Sequence, residues 1–165
     1  MIKFITFLTE SFDNPIPLER DFHHENAVYA QVKAASDRGA PRKITAFQTK
    51  GFEPSMKFYK MEFPDHVEFH FNNASEQFSV GDLNLYTSST VMRIFATILK
   101  MGQEHLAESD KRILLYCQSP KMFKLLLRGA RAKLFTDKYD MTEEGPFTSF
   151  AGFSIQGGLV VRNKS

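Results

Sequence analysis

Hydrophobic positions between Val80 and Phe135 alternate between two spacings, and the rest of the chain is organised around that stretch. Val91, Ile94, Phe95, Ile98 and Leu99 recur every three or four residues. That stripe predicts an amphipathic helix continuing to about Leu106, with Ser88, Ser89 and Thr90 as its start signal. Arg112 to Cys117, RILLYC, is a short, largely apolar run. It predicts a strand covered on both faces. Ser119 and Pro120 then supply a cap residue and a proline at the first helical position. A second helix is predicted from about Pro120 to Leu134, burying Met122, Phe123, Leu126, Leu127, Ala130 and Leu134. One core is expected to hold Ile98, Leu114 and Leu126 together.

Elsewhere the pattern is mostly that of strands. Ile2 to Leu8 and Lys43 to Gln48 are strand candidates. Tyr59, Met61 and Phe63 alternate with polar residues, as do Val67, Phe69 and Phe71, with Pro64-Asp65-His66 as a turn. These features predict a hairpin. A helix is predicted over about Leu18 to Arg38, with Phe22, Tyr29, Val32 and Ala35 inward and a break near His23-His24. Asn72 to Phe78 reads as a polar loop and Leu83 to Tyr86 as a short strand. Thr136 to Pro146 reads as an exposed polar segment. Phe147 to Ile155 and Leu159 to Arg162 read as a terminal hairpin around Gln156-Gly157-Gly158. The fold class expected is mixed α/β (α+β), with helices packed on a largely antiparallel central sheet in one globular domain, residues 1–165.

Charge sharpens the picture in one place. Lys111 to Lys138 carries eight Lys or Arg against one acid, a net +7, in a chain that is +2 overall. Lys121, Lys124, Arg128 and Arg131 share one face of the second helix. Such a stripe suits nucleic-acid phosphate, a nucleotide's phosphates or an acidic protein surface. The plain alternative is a solvated face opposite a buried one. No apolar run reaches the roughly 18–20 residues of a membrane span, so no membrane partner is expected. No basic segment followed by an apolar one opens the chain, so no signal peptide is expected. The single cysteine, Cys117, is expected to pack in the core, and its isolation points to a reducing, intracellular compartment.

Catalytic motifs are sparse. The sequence has no G-x-S-x-G, no P-loop and no dinucleotide fingerprint. No cofactor and no metal is expected. His66 and His70, four residues apart on a strand, are separated by about 13 Å, too far for one ion. Glu62 and Glu68 on the predicted hairpin are candidates for a general base; the plain alternative is two solvent-facing strand residues.

The order of elements resembles the GNAT acetyltransferase fold. The local match is RILLYCQSP followed by KMFKLLLRGARAKLF. In that family a buried strand ends near an Asn, and the next helix carries a small residue, a Leu-Tyr pair and Gly-Phe. Ser119 stands at the Asn position, Met122 at the small residue and Leu125-Leu126 at the Leu-Tyr pair. The resemblance implies a coenzyme A pyrophosphate site at a glycine-rich loop opening the central helix. The matching segment, Asp82 to Thr90, contains no glycine, and Leu126 replaces the Tyr that often acts as general acid. It therefore implies a degenerate or non-catalytic acetyltransferase-like module, with a working N-acyltransferase using acetyl-coenzyme A as the alternative. VMRIFATILKM together with the following RILLYC segment and basic helix is also similar to small tailed-phage proteins of unknown function. That similarity implies an accessory protein in a host cytoplasm, or a virion component. The implied partner, a host or phage protein or a nucleic-acid backbone, would be met through Lys121, Lys124, Arg128 and Arg131.

Overall fold

The computed structural model describes residues 12–36, 39–73, 82–134, 137–150 and 152–165. The expected strand at Ile2 to Leu8, most of the Asn72 to Phe78 loop and Phe135 lie outside them. In chain order the elements are β1 (Leu18–Arg20), α1 (Phe22–Ala35), β2 (Lys43–Thr49), β3 (Lys57–Glu62) and β4 (Val67–Asn72). A 3-10 turn (Leu83–Leu85) leads into α2 (Ser88–Glu108), β5 (Ile113–Leu115) and α3 (Pro120–Lys133). β6 (Tyr139–Glu144), β7 (Phe147–Thr148), β8 (Ser154–Ile155) and β9 (Gly158–Asn163) complete the chain. Seven strands form one sheet in the order β1-β2-β3-β4-β5-β9-β6, and β7 and β8 pair separately. Every pairing is antiparallel except β4 with β5. The fold is therefore mixed α/β with a largely antiparallel sheet.

Two cores separate the layers. α2 and α3 share the larger one, in which Phe95, Leu99 and Leu126 meet Phe58, Phe69, Ile113 and Val161. α1 covers the other face of β2 and β3, where Val28 and Val32 meet Ile44, Ala46, Tyr59 and Met61. α2 is the central helix, buried on most sides, and Thr87 caps it by accepting from the Thr90 N–H at 3.3 Å. α3 begins as its sequence predicts: Ser119 accepts from the Met122 N–H, and Pro120 occupies the first turn. The segment before β1 is pinned to the same layer. The Ile16 N–H donates to Thr97 Oγ1 at 2.8 Å, and Arg93 Nε donates to the Asn14 carbonyl at 3.0 Å. The Phe12 ring lies where a Cβ on Gly129 would stand, about 2.4 Å away, so only glycine lets α3 pack there.

Several expectations are corrected. β5 is three residues long, and alternation puts Ile113 and Leu115 on the α2 side while Leu114 faces the other way, half-buried. Leu114 therefore does not share the core of Ile98 and Leu126. The predicted helix over Leu18 to Arg38 is a strand followed by one unbroken helix. Asp21 caps that helix by accepting from the His24 N–H. Its buried stripe is His24, Val28 and Val32, while Phe22 is 64% exposed. Leu83 to Tyr86 is a 3-10 turn, not a strand. The predicted polar segment contains β6, an edge strand that pairs with β9 from Tyr139↔Asn163 to Glu144↔Gly158. Its outer residues face water, which hides the strand from a hydrophobic pattern. The terminal hairpin is thus β6–β9, with the small β7–β8 hairpin set into its connection.

Candidate functional site

β4 and β5 run side by side for only two residues, Val67↔Ile113 and Glu68↔Leu114. β4 continues to Asn72, whereas β5 stops at Leu115. Where they part, a cleft of about 360 Å³ opens, bordered by Phe69, His70 and Phe71 on one strand and Leu115, Tyr116 and Cys117 at the end of the other. The 3-10 turn, the start of α3 at Ser119 and the β7–β8 hairpin close it round. Clefts beyond the carboxyl ends of neighbouring parallel strands are where open α/β sheets bind ligands, and the volume lies within the usual range of small-molecule sites.

One wall carries a hydrogen-bonded cluster. His66, Glu68 and His70 alternate along β4 and its turn, so all three side chains reach the α1 side of the sheet. Glu68 is 4% exposed. Its Oε2 faces His66 Nε2 at 2.6 Å, and its Oε1 faces His70 Nε2 at 3.0 Å. The Tyr116 hydroxyl donates to the same Oε1 at 2.6 Å. Burial works against ionisation of Glu68, but the hydrogen bonds from His66, His70 and Tyr116 outweigh it and hold the carboxyl at about 2. Glu68 is therefore a carboxylate whose oxygens are already engaged.

The outer members extend the cluster in both directions. His66 stacks flat on Phe63, with ring centroids 4.7 Å apart, and presents Nδ1 to Asp65 at 2.7 Å. Burial lowers its pKa, but the carboxylates of Glu68 and Asp65 raise it further, leaving a net upward shift. Arg112 donates to Asp65 at 3.3 Å. On the cleft side, Tyr116 is pushed well above the ordinary phenol range, first by burial and then by the Glu68 charge, so it stays a donor. Ser149 hydrogen-bonds it from the hairpin. Phe147 and Phe150 of the hairpin meet the rings of Tyr116 and His70 edge-on. Burial pushes the nearby Cys117 thiol up to about 12, so it is not a ready nucleophile.

Other residues picked out in the sequence lie elsewhere. Glu62 pairs with Val67 and Glu68 with Met61, so the two carboxylates occupy opposite faces of the sheet and cannot share a site. Glu68 is not solvent-facing, and Glu62 is only half-buried. Lys121, Lys124, Arg128 and Arg131 are all exposed on α3. Arg131 is paired with Glu143 at 3.2 Å; the other three have no ion pair among the described residues. No group of three or more potential ligands fits a metal among the described residues. No described helix is long and apolar enough to cross a membrane.

The sequence points to Glu68 but not to its histidine partners, since His66 and His70 as a pair are too far apart for one ion. The signal was the intervening residue: in H-x-E-x-H on a strand the central carboxylate reaches both imidazoles. Tyr116 and Ser149 carry no comparable local signal. Comparisons with protein-family models, curated proteins and solved structures find no match to this chain.

Proposed function

We propose that the chain is an acetyltransferase-like binding module that holds a coenzyme A thioester in the cleft between β4 and β5. The parting of these two strands carries the reading. It leaves a ligand-sized opening beyond the one parallel pair of an otherwise antiparallel sheet. The strand order, with β9 inserted between β5 and β6, supports the GNAT resemblance of the sequence. Ser119 and the first turn of α3 border the cleft, and Lys121 and Lys124 follow within that helix. Pro120 has no N–H and the Met122 and Phe123 N–H groups are taken up by Ser119, so it is the cations beside the helix start, with the positive end of its dipole, that suit the phosphates of a nucleotide.

The reading is one of binding without turnover. Glu68, the candidate base, already receives three hydrogen bonds, and its pKa of about 2 makes it a poor proton acceptor near neutral pH. Acetyl-coenzyme A should raise Tm, since a ligand that binds only the folded state stabilises it. Thiol release in the presence of amine acceptors should stay at the uncatalysed rate. Absence of any Tm shift at millimolar acetyl-coenzyme A would remove the binding reading. Release well above background would replace it with a working N-acyltransferase.

A second reading rests on the exposed cations Lys121, Lys124 and Arg128, unpaired among the described residues. They support a polyanionic partner, protein or nucleic acid, on the outer face of α3.

A further inference from the structure

The cleft is chemically two-sided. His70, Tyr116 and Ser149 make its polar wall on the α1 side. Across from it, Phe95, Ile98, Leu115 and Leu126 form an apolar end that reaches the main core, each 7% exposed or less. An acetyl group presents a single methyl, too short to run from the polar wall along that end to the partly exposed apolar lining at Met122 and Phe153. The lips repeat the pattern. Large hydrophobic residues exposed among the described ones are Phe22, Leu85 and Phe153. Phe153, 43% exposed, lines the cleft, and Leu85, 68% exposed, belongs to the 3-10 turn whose Leu83 and Asn84 line it. Apolar side chains left in water beside an apolar cleft mark a place where an apolar ligand gains area.

We infer that the cleft takes a medium-chain, unbranched acyl group in preference to acetyl. The chain lies along Phe95, Ile98 and Leu126, and its polar head stands toward Tyr116 and Ser149. Met122 and Phe153, both lining the cleft and neither fully buried, then act as specificity-determining residues. This inference deepens the coenzyme A reading and rests on it for the identity of the donor, but the chain-binding end is testable by itself.

The experiment measures affinity and Tm for coenzyme A, acetyl-coenzyme A, octanoyl-coenzyme A and sodium octanoate. Parent, Met122→Trp and Phe153→Ala proteins are compared. Each methylene taken from water tightens binding by about fourfold, so octanoyl-coenzyme A should bind at least tenfold more tightly than acetyl-coenzyme A. Octanoate alone should raise Tm. Met122→Trp, which fills the cleft, should abolish the difference between the two thioesters. Phe153→Ala, at an exposed position, should reduce that difference without unfolding the protein. Equal affinity for the two thioesters with no octanoate effect overturns the inference and leaves the coenzyme A reading in place. Octanoate binding without binding of any coenzyme A form overturns that reading and keeps the apolar end. A chain-length preference untouched by both substitutions places the chain elsewhere and overturns the inference, as does failure of every probe.

Discussion

The two faces of the sheet solve different problems. On the α2 and α3 face, long helices seal a continuous apolar core against Phe58, Phe69, Ile113 and Val161. On the other face α1 covers only β2 and β3, and the middle of the sheet is closed by the small β7–β8 hairpin over His70, Tyr116 and Glu68. The first face derives its stability from area; the second has a smaller apolar core under α1 and, beyond it, a cluster whose hydrogen bonds must all be made. Loss of a methylene is felt locally on the first, whereas loss of one member of a buried polar network strands its partners.

Substitutions sharpen that contrast, and the largest effect belongs to the apolar face. Leu99→Ala, at a position 2% exposed, should lower stability by about 2–5 kcal/mol. Leu114→Ala should cost less than that range, because Leu114 is half-buried on the opposite face. Denaturant melts of the two variants check both; equal losses would mean the faces are not distinct. Glu68→Gln should follow, at about 1–3 kcal/mol, since the amide cannot accept from His66, His70 and Tyr116 as the carboxylate does.

Acidity separates the faces again. Glu68 has a folded pKa of about 2, below its ordinary value of 4.5. Its contribution is therefore complete above about pH 4.5 and is lost as pH falls toward 2. His66 is shifted upward, so its contribution is complete below its ordinary 6.5 and is lost as pH rises through its folded value. Stability drawn from this cluster should peak between those limits. The gap between parent and Glu68→Gln should shrink steadily below pH 4; a gap independent of pH would show that Glu68 is not held as an ion. Smallest of all, Lys124→Glu with Arg128→Glu should change stability by no more than about 1 kcal/mol, both residues being exposed. If α3 meets a polyanion, the same pair should weaken its binding and flatten its salt dependence.

Much of the first face was legible in the sequence. The stripe from Val91 to Leu99 and the Ser119-Pro120 start of α3 were readable because helix period and capping are local properties. β6 was not legible, because Tyr139 and Met141 are its only apolar residues and a second small hairpin, β7–β8, interrupts the connection to its partner β9. The start of α1 is hidden because Leu18–Arg20 are held as a strand against β2 and Asp21 caps the helix after them; of the residues its pattern points inward, only Val32 lies on the buried stripe with His24 and Val28. The cluster around Glu68 needed three elements to meet, and period alone supplied only the residues of β4. The cleft was not legible at all: it depends on where β5 ends relative to β4.

The β6–β9 pairing closes at Glu144↔Gly158, so residues 145–157 hang from a rung that is already fixed. Gly158 is the tight point, since a Cβ there would come to about 3.0 Å from both Leu114 and Phe147. Beyond that rung the cover over the polar wall is a cassette: Phe147, Ser149, Phe150 and Ile155 tie it to the sheet, while its exposed positions, Gly152 and Phe153 among them, vary without disturbing the register beneath. Substitution at those exposed positions alone alters the rim of the cleft, where Phe153 stands, and leaves the folding of the sheet untouched.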